Sequence, residues 1–230
     1  MFDMRVRQPA IFVALIVAVY LWLGAAMLLF RSPMLAMIVY YPVFCLGGGL
    51  LIRSSLPASA RQLPESATSP LPFATIVGLA FALSVALWAC TLLFRPGLVD
   101  PGILSEGLCS IGMTRERFWL SAGFLAAVNP FAEEYLWRWS VFPFLASRLP
   151  RSTAVHLSSL MFAGYHPLVV GMLFPSAWLL AVFAISYAGG VILAKTLLRT
   201  GRLGYPIALH LVINANLMII GFLYSPSSTP

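Results

Sequence analysis

The chain has 230 residues, of which 60% are apolar and 9% charged, and its mean hydropathy is +0.92. Soluble domains carry about 25% charged residues, so this chain lacks the polar surface to cover a globule in water and its expected solvent is lipid. The net charge of +7 comes from 14 basic and 7 acidic residues; the basic ones are scattered singly between apolar runs, which fits cytoplasmic membrane loops and not a nucleic-acid surface.

At roughly 20 apolar residues per crossing, the length admits about seven spans. Ala10 to Phe30 is free of charge and reads as the first. Arg5 and Arg7 precede it as they would in a signal peptide, but the run is longer than the roughly 7–15 residues of a signal core. It is read as a retained helix. Ser32 to Ile52 is the second span, with Pro33, Pro42 and Gly47-Gly48-Gly49 expected to kink or thin it. Arg53 to Pro70 is loop-like, Leu71 to Phe94 is the third span, and Arg95 to Met113 reads as a Gly/Pro-bearing loop. Thr114 to Leu149 reads as a helical stretch that Pro130 kinks. Ser152 to Ala194 holds no Asp, Glu, Lys or Arg, enough for two crossings broken near Pro167 to Pro175. Leu203 to Tyr224 is the last span and Ser225 to Pro230 a polar tail.

The expected fold is an all-α integral membrane protein, a polytopic bundle of about seven transmembrane helices around a polar cavity. Residues 1–113 supply about three helices without chemical motifs, 114–224 the core, and 225–230 the tail. A cytoplasmic N-terminus puts Arg5, Arg7, Arg53, Arg61, Arg148, Arg151, Lys195, Arg199 and Arg202 inside. Only Arg31, Arg95, Arg115 and Arg117 then fall outside, the bias expected of that orientation. Cys45, Cys90 and Cys109 have no metal or disulfide spacing; Cys45 and Cys90 fall in apolar runs and read as core residues.

A charge at the bilayer centre costs roughly 2.5–3.5 kcal/mol, so Glu133, Glu134 and Arg138 must face a polar cavity or one another. Glu134 and Arg138 lie one helical turn apart in the favourable acid-first order and can form a pair that fixes packing. Glu133 lies about 100° around the helix from Glu134, outside that pair. A carboxylate set apart in a low-dielectric cavity has the makings of a general base, or of a protonated group bonded to a neighbouring helix. His166 and His210 fall in the following spans. Phe162 sits one turn before His166 and Asn214 one turn after His210. Counted from Arg151, Glu133 and His166 lie roughly 22–27 Å deep; His210 and Asn214 lie about 12–18 Å from Arg202. His156 has no matching partner and reads as structural or interfacial.

Glu133-Glu134-Tyr-Leu-Trp-Arg138 fits EExxxR, Phe162-Ala-Gly-Tyr-His166 fits FxxxH, and His210-Leu-Val-Ile-Asn214 fits HxxxN. In shuffled chains of this composition the set would occur by chance on the order of once in twenty thousand. In this order, on successive helices, the motifs resemble the CPBP family of CAAX proteases and bacteriocin-processing enzymes, which includes type II CAAX prenyl endopeptidases. The resemblance implies an intramembrane endopeptidase, acting on prenylated CAAX tails in a eukaryote; the short chain and its compact loops read as bacterial, which places it in the cytoplasmic membrane. Glu133 and His166 would hold and deprotonate water, and His210 and Asn214 would form the oxyanion hole. Glu134, Arg138 and Phe162 would shape and charge-balance the site. No cofactor is required on this reading; the alternative is zinc held by Glu133, His166 and His210 with an open fourth position. The substrate would be a membrane-anchored protein or peptide, processed at a C-terminal anchor signal or during peptide maturation. The partners expected are that substrate and the lipid bilayer, with no nucleic acid.

Two other readings compete. Intramembrane Glu, His and Arg also serve proton-coupled transporters and channels, which string such groups across the bilayer instead of gathering them at one point. A non-catalytic membrane scaffold would need none of them intact.

Overall fold

The computed structural model describes residues 4–30, 32–61, 73–93, 101–110, 114–115, 118–171 and 179–224. Among them every regular element is helical and no strand occurs. Helix α1 covers 4–29, α-helical over Met4–Gly24 and π-helical over Ala25–Leu29. Helix α2 covers 33–54. The Ser32 hydroxyl caps its start by accepting the Leu35 N–H at 3.2 Å, and Pro33 occupies the first turn. Pro42 has no N–H to give to the carbonyl four residues back, and the coil widens to a π-helix over Tyr40–Gly48 before Gly49–Ser54 closes it. The expected disturbance of this span is therefore a change of helical pitch. Single-turn α3 is Ala58–Arg61 and α4 is Phe73–Leu93.

Helix α5, Pro101–Ser110, corrects the expectation of a loop over Arg95 to Met113. Pro101 stands at its first position, where the missing N–H costs nothing. Leu108 is buried against Phe118 and Ala122, a small apolar cluster that gives this turn-rich stretch something to fold onto.

Helix α6 covers 118–146: Phe118–Leu136, a π-helical stretch Trp137–Val141, and Phe142–Ala146. It starts four residues later than the sequence suggests and contains Pro130. Helix α7 is Arg151–Gly164 and α8 is His166–Val170. They separate at Tyr165 because Pro167 cannot donate to the Ala163 carbonyl. Helix α9 is Leu179–Thr200 and α10 is Gly204–Tyr224. Gly201, with φ of 62°, takes the left-handed conformation that lets its N–H close onto the Leu197 carbonyl at 2.8 Å and turn the chain into α10.

Among the described residues, four segments are long and apolar enough to cross a membrane: Gln8–Leu29, Leu35–Ser54, Leu179–Thr200 and Gly204–Leu223. About seven were expected. Helix α4 contains a further apolar stretch, Ala74–Ala86, while α6 carries three charges in its middle and α7 has 14 residues. Arg31, Arg95 and Arg117 of the orientation argument lie outside the described residues, as do Met172 to Trp178 and the tail.

The main core joins α1, α2, α6, α7 and α9 around Trp137, which is fully buried with Val19, Leu136 and Leu197. Helices α7 and α9 meet at Gly190. A Cβ there would stand 3.0 Å from the Ser159 Cβ, so only glycine lets the two backbones approach this closely. Helix α10 is fixed to α4 by Asn216, whose side chain accepts from Trp88 Nε1 and donates to the Ser84 hydroxyl, both at 2.9 Å. Cys45 is buried and Cys109 exposed, both as free thiols; the side chain of Cys90 lies outside the described residues.

Candidate active site

Glu133, Glu134 and Arg138 are buried in the middle of α6, at 3%, 0% and 1% exposure. Their desolvation is met by partners from three other helices. Arg138 Nη1 lies 3.1 Å from Glu134 Oε1, one turn back on the same helix. Its Nη2 donates to the Gly190 carbonyl of α9 at 3.3 Å, and its guanidinium lies 4.3 Å from the centre of the Phe162 ring. That ring offers its negative face to the cation. Phe162 of the FxxxH motif thus works on the arginine as well as on His166, whose ring meets it edge-on at 4.6 Å.

Glu134 Oε1 is shared. His210 of α10 brings Nδ1 to within 2.9 Å of it. A carboxylate only accepts, so this nitrogen carries the hydrogen. His210 Nε2 on the far side of the ring is then 3.7 Å from Glu133 Oε2, too long for a direct hydrogen bond. The two neighbouring carboxylates differ sharply. Glu134 is tied into the Arg138–His210 cluster. Glu133 Oε1 accepts the Tyr165 hydroxyl at 2.5 Å, and Glu133 Oε2 is buried with no hydrogen-bond partner among the described residues.

His166 sits where α7 breaks. Its Nδ1 donates to the Phe162 carbonyl at 2.8 Å, which fixes the ring and leaves Nε2 with its lone pair. Asn214, one turn beyond His210, gives one amide hydrogen to the Leu125 carbonyl of α6 at 3.3 Å and keeps a second.

Glu133, His166, His210 and Asn214 all line one cavity of about 180 Å³. One water needs only about 10–15 Å³. The other side of the cavity is apolar: Leu23 and Met27 from α1, Ala36 and Met37 from α2, Leu217 and Met218 from α10. Phe162, Glu134 and Arg138 stand behind the polar side. His156 lies elsewhere, exposed, with Nδ1 2.7 Å from the Tyr187 hydroxyl.

Four polar residues of the cavity were not anticipated from the sequence: Tyr165, Asn129, Tyr40 and Tyr41. The Tyr41 hydroxyl donates to Asn129 Oδ1 at 2.7 Å, and Asn129 is one turn before Glu133 on the same face. The i, i+4 spacing of Asn129 and Glu133 was a signal in plain view. Tyr165 adjoins His166, but only the break between α7 and α8 turns its hydroxyl toward α6.

Among the described residues no three His, Cys, Asp or Glu side chains are grouped so as to hold a metal ion. The chemistry below is derived from the side chains alone.

No curated protein matches the chain, and no solved structure does. Residues 115–216, the stretch that carries EExxxR, FxxxH and HxxxN, match the family model described as type II CAAX prenyl endopeptidase Rce1-like, a family of membrane proteases.

Proposed function

We propose that the protein is an intramembrane endopeptidase that hydrolyses a peptide bond in or near the membrane portion of an anchored protein or peptide. The observation that carries this reading is the buried Glu133 Oε2, without a hydrogen bond among the described residues, on the wall of a cavity that it shares with His166, His210 and Asn214.

Glu133 Oε2 and the lone pair of His166 Nε2 hold one water. Glu133 takes a proton from it as the oxygen attacks the substrate carbonyl carbon. The carbonyl oxygen becomes an oxyanion, met by the second amide hydrogen of Asn214 and by His210 Nε2–H. His210 can donate from Nε2 while its Nδ1 serves Glu134 only as the imidazolium. In that form Glu133, Glu134, Arg138 and His210 sum to no net charge, which suits a buried cluster. Collapse of the intermediate breaks the C–N bond, and Glu133 returns the proton to the leaving nitrogen. Glu134 and Arg138 hold His210 and balance charge.

The family match supports a substrate with a membrane anchor near the cut, as in a CAAX-type tail. C-terminal anchor processing and peptide maturation are the two roles that fit. The distribution of basic residues supports a cytoplasmic N-terminus.

The test compares membrane peptides, by mass spectrometry, from cells expressing wild type and Glu133→Gln. Cleavage products present with wild type should fall by about 10²–10⁴-fold in the variant, the range of a lost general base. Undiminished products in both Glu133→Gln and His166→Ala would end the enzyme reading. A proton flux lost in proteoliposomes of the same variants, with no cleavage by wild type, would replace it with the transporter.

A further inference from the structure

Tyr165 fills an unspecified position of FxxxH, yet it makes the one hydrogen bond that Glu133 receives among the described residues. It is 2% exposed. Its ring is held on three sides: stacked on Trp137 at 6.0 Å, tilted against Tyr40 at 5.6 Å and edge-on to Phe162 at 5.9 Å. A phenol so confined has little rotational freedom, and its hydroxyl arrives at Glu133 pre-aimed. Trp137 lies one turn beyond Glu133 on α6, so the helix that bears the carboxylate also bears a wall of the tyrosine's slot.

From this geometry we infer that Tyr165 is the positioning residue of Glu133, a role that rests on the peptidase reading. Its single hydrogen is committed to Oε1, so it does not donate to the oxyanion. What it does is differentiate the two carboxylate oxygens. Oε1 is occupied, and Oε2 is left to accept the water's proton, on the side where His210 Nε2 stands 3.7 Å away. The backbone adds a second constraint. Tyr165 directly precedes His166, and their rings stack at 4.4 Å. One helix break therefore sets both groups that hold the water: His166 by its own ring and Glu133 through the neighbouring phenol. Without the hydroxyl the carboxylate is free to turn about its terminal torsion, a broad and soft one. The α7–α8 break then loses its polar tie to α6.

The test uses the full chain in detergent or proteoliposomes, with Tyr165→Phe, which keeps the ring and its packing. Two readouts are taken. The first is a wild-type-minus-variant infrared difference spectrum of protein labelled with 13C-carboxyl glutamate, repeated in a Glu133→Gln background. A carboxylate band should shift in the first case and be silent in the second. The second is kinetics on a peptide that wild type is found to cut in the membrane proteome. There kcat should fall about 10²-fold, as for a misplaced reacting group, with KM held. Ser158→Ala, which deletes a buried hydroxyl of α7 bonded among the described residues to the Val155 carbonyl, should leave both readouts unchanged. A silent infrared difference overturns the inference, as does a shifted band with kcat intact. A rise in KM with a matching loss of folded protein also overturns it, because that is the mark of a structural role. Cleavage no greater in wild type than in Glu133→Gln sinks the peptidase reading and the inference with it. The infrared band still reports the contact in that case, so the two failures are told apart.

Discussion

The two ends of the chain contribute to the cavity in opposite ways. Helices α6 to α10 supply every ionisable group the proposed chemistry uses, on motifs of fixed spacing. Helices α1 and α2 supply the apolar Leu23, Met27, Ala36 and Met37 and the phenols of Tyr40 and Tyr41, with no motif at all. The difference teaches that charge placement is local and demanding, whereas closing the cavity needs only apolar bulk of about the right volume. Methionine suits such a wall, being unbranched and adaptable.

That contrast can be broken by substitution. The largest structural loss is expected at Arg138→Ala. It strips the counter-charge from a fully buried Glu134 and empties the space over Phe162. Leaving one partner of a buried pair uncompensated costs roughly 3–5 kcal/mol, read as a drop in the denaturation midpoint in detergent. A midpoint within error of wild type would mean that the cluster is not the anchor described here. Gly190→Ala should follow, at about 1–3 kcal/mol, because its methyl would press α9 away from Ser159 on α7. It also moves the carbonyl that receives Arg138, so cleavage should fall along with stability. The smallest effect is expected on the apolar wall. Met37→Phe adds bulk to the cavity opposite Glu133 and should raise KM a few-fold with kcat little changed, since it touches substrate fit and no reacting atom. A kcat loss as large as that of Tyr165→Phe would erase the distinction between the two walls.

How much of this was legible in the sequence follows from the same physics. A carboxylate or guanidinium in an apolar run is conspicuous because lipid penalises it, so Glu133, Glu134 and Arg138 announce themselves. Helical spacing then pairs Glu134 with Arg138. What spacing does not convey is tertiary aim. The choice of Glu134 as the partner of His210 Nδ1 depends on how α10 crosses α6. Tyr165 gave no signal because a tyrosine beside a histidine is unremarkable until Pro167 ends the helix at that point. The loop expected over Arg95 to Met113 misjudged Gly and Pro as breakers, although Pro101 opens α5 and Leu108 finds an apolar seat at Phe118. Of the crossings expected, four are found among the described residues as long apolar helices, while α7 has 14 residues and α6 carries its charges mid-helix.

The sharing of Glu134 between Arg138 and His210 also has a consequence for biogenesis. On the growing polypeptide, Glu134 and Arg138 emerge within one turn of each other and can neutralise at once. The carbonyl of Gly190 and the ring of His210 are made only after some fifty to seventy-five further residues have been translated. Throughout that interval the nascent α6 must be sheltered by the insertion machinery or stay shallow. A ribosome stalled before residue 210 would leave Glu133 and Glu134 without their histidine.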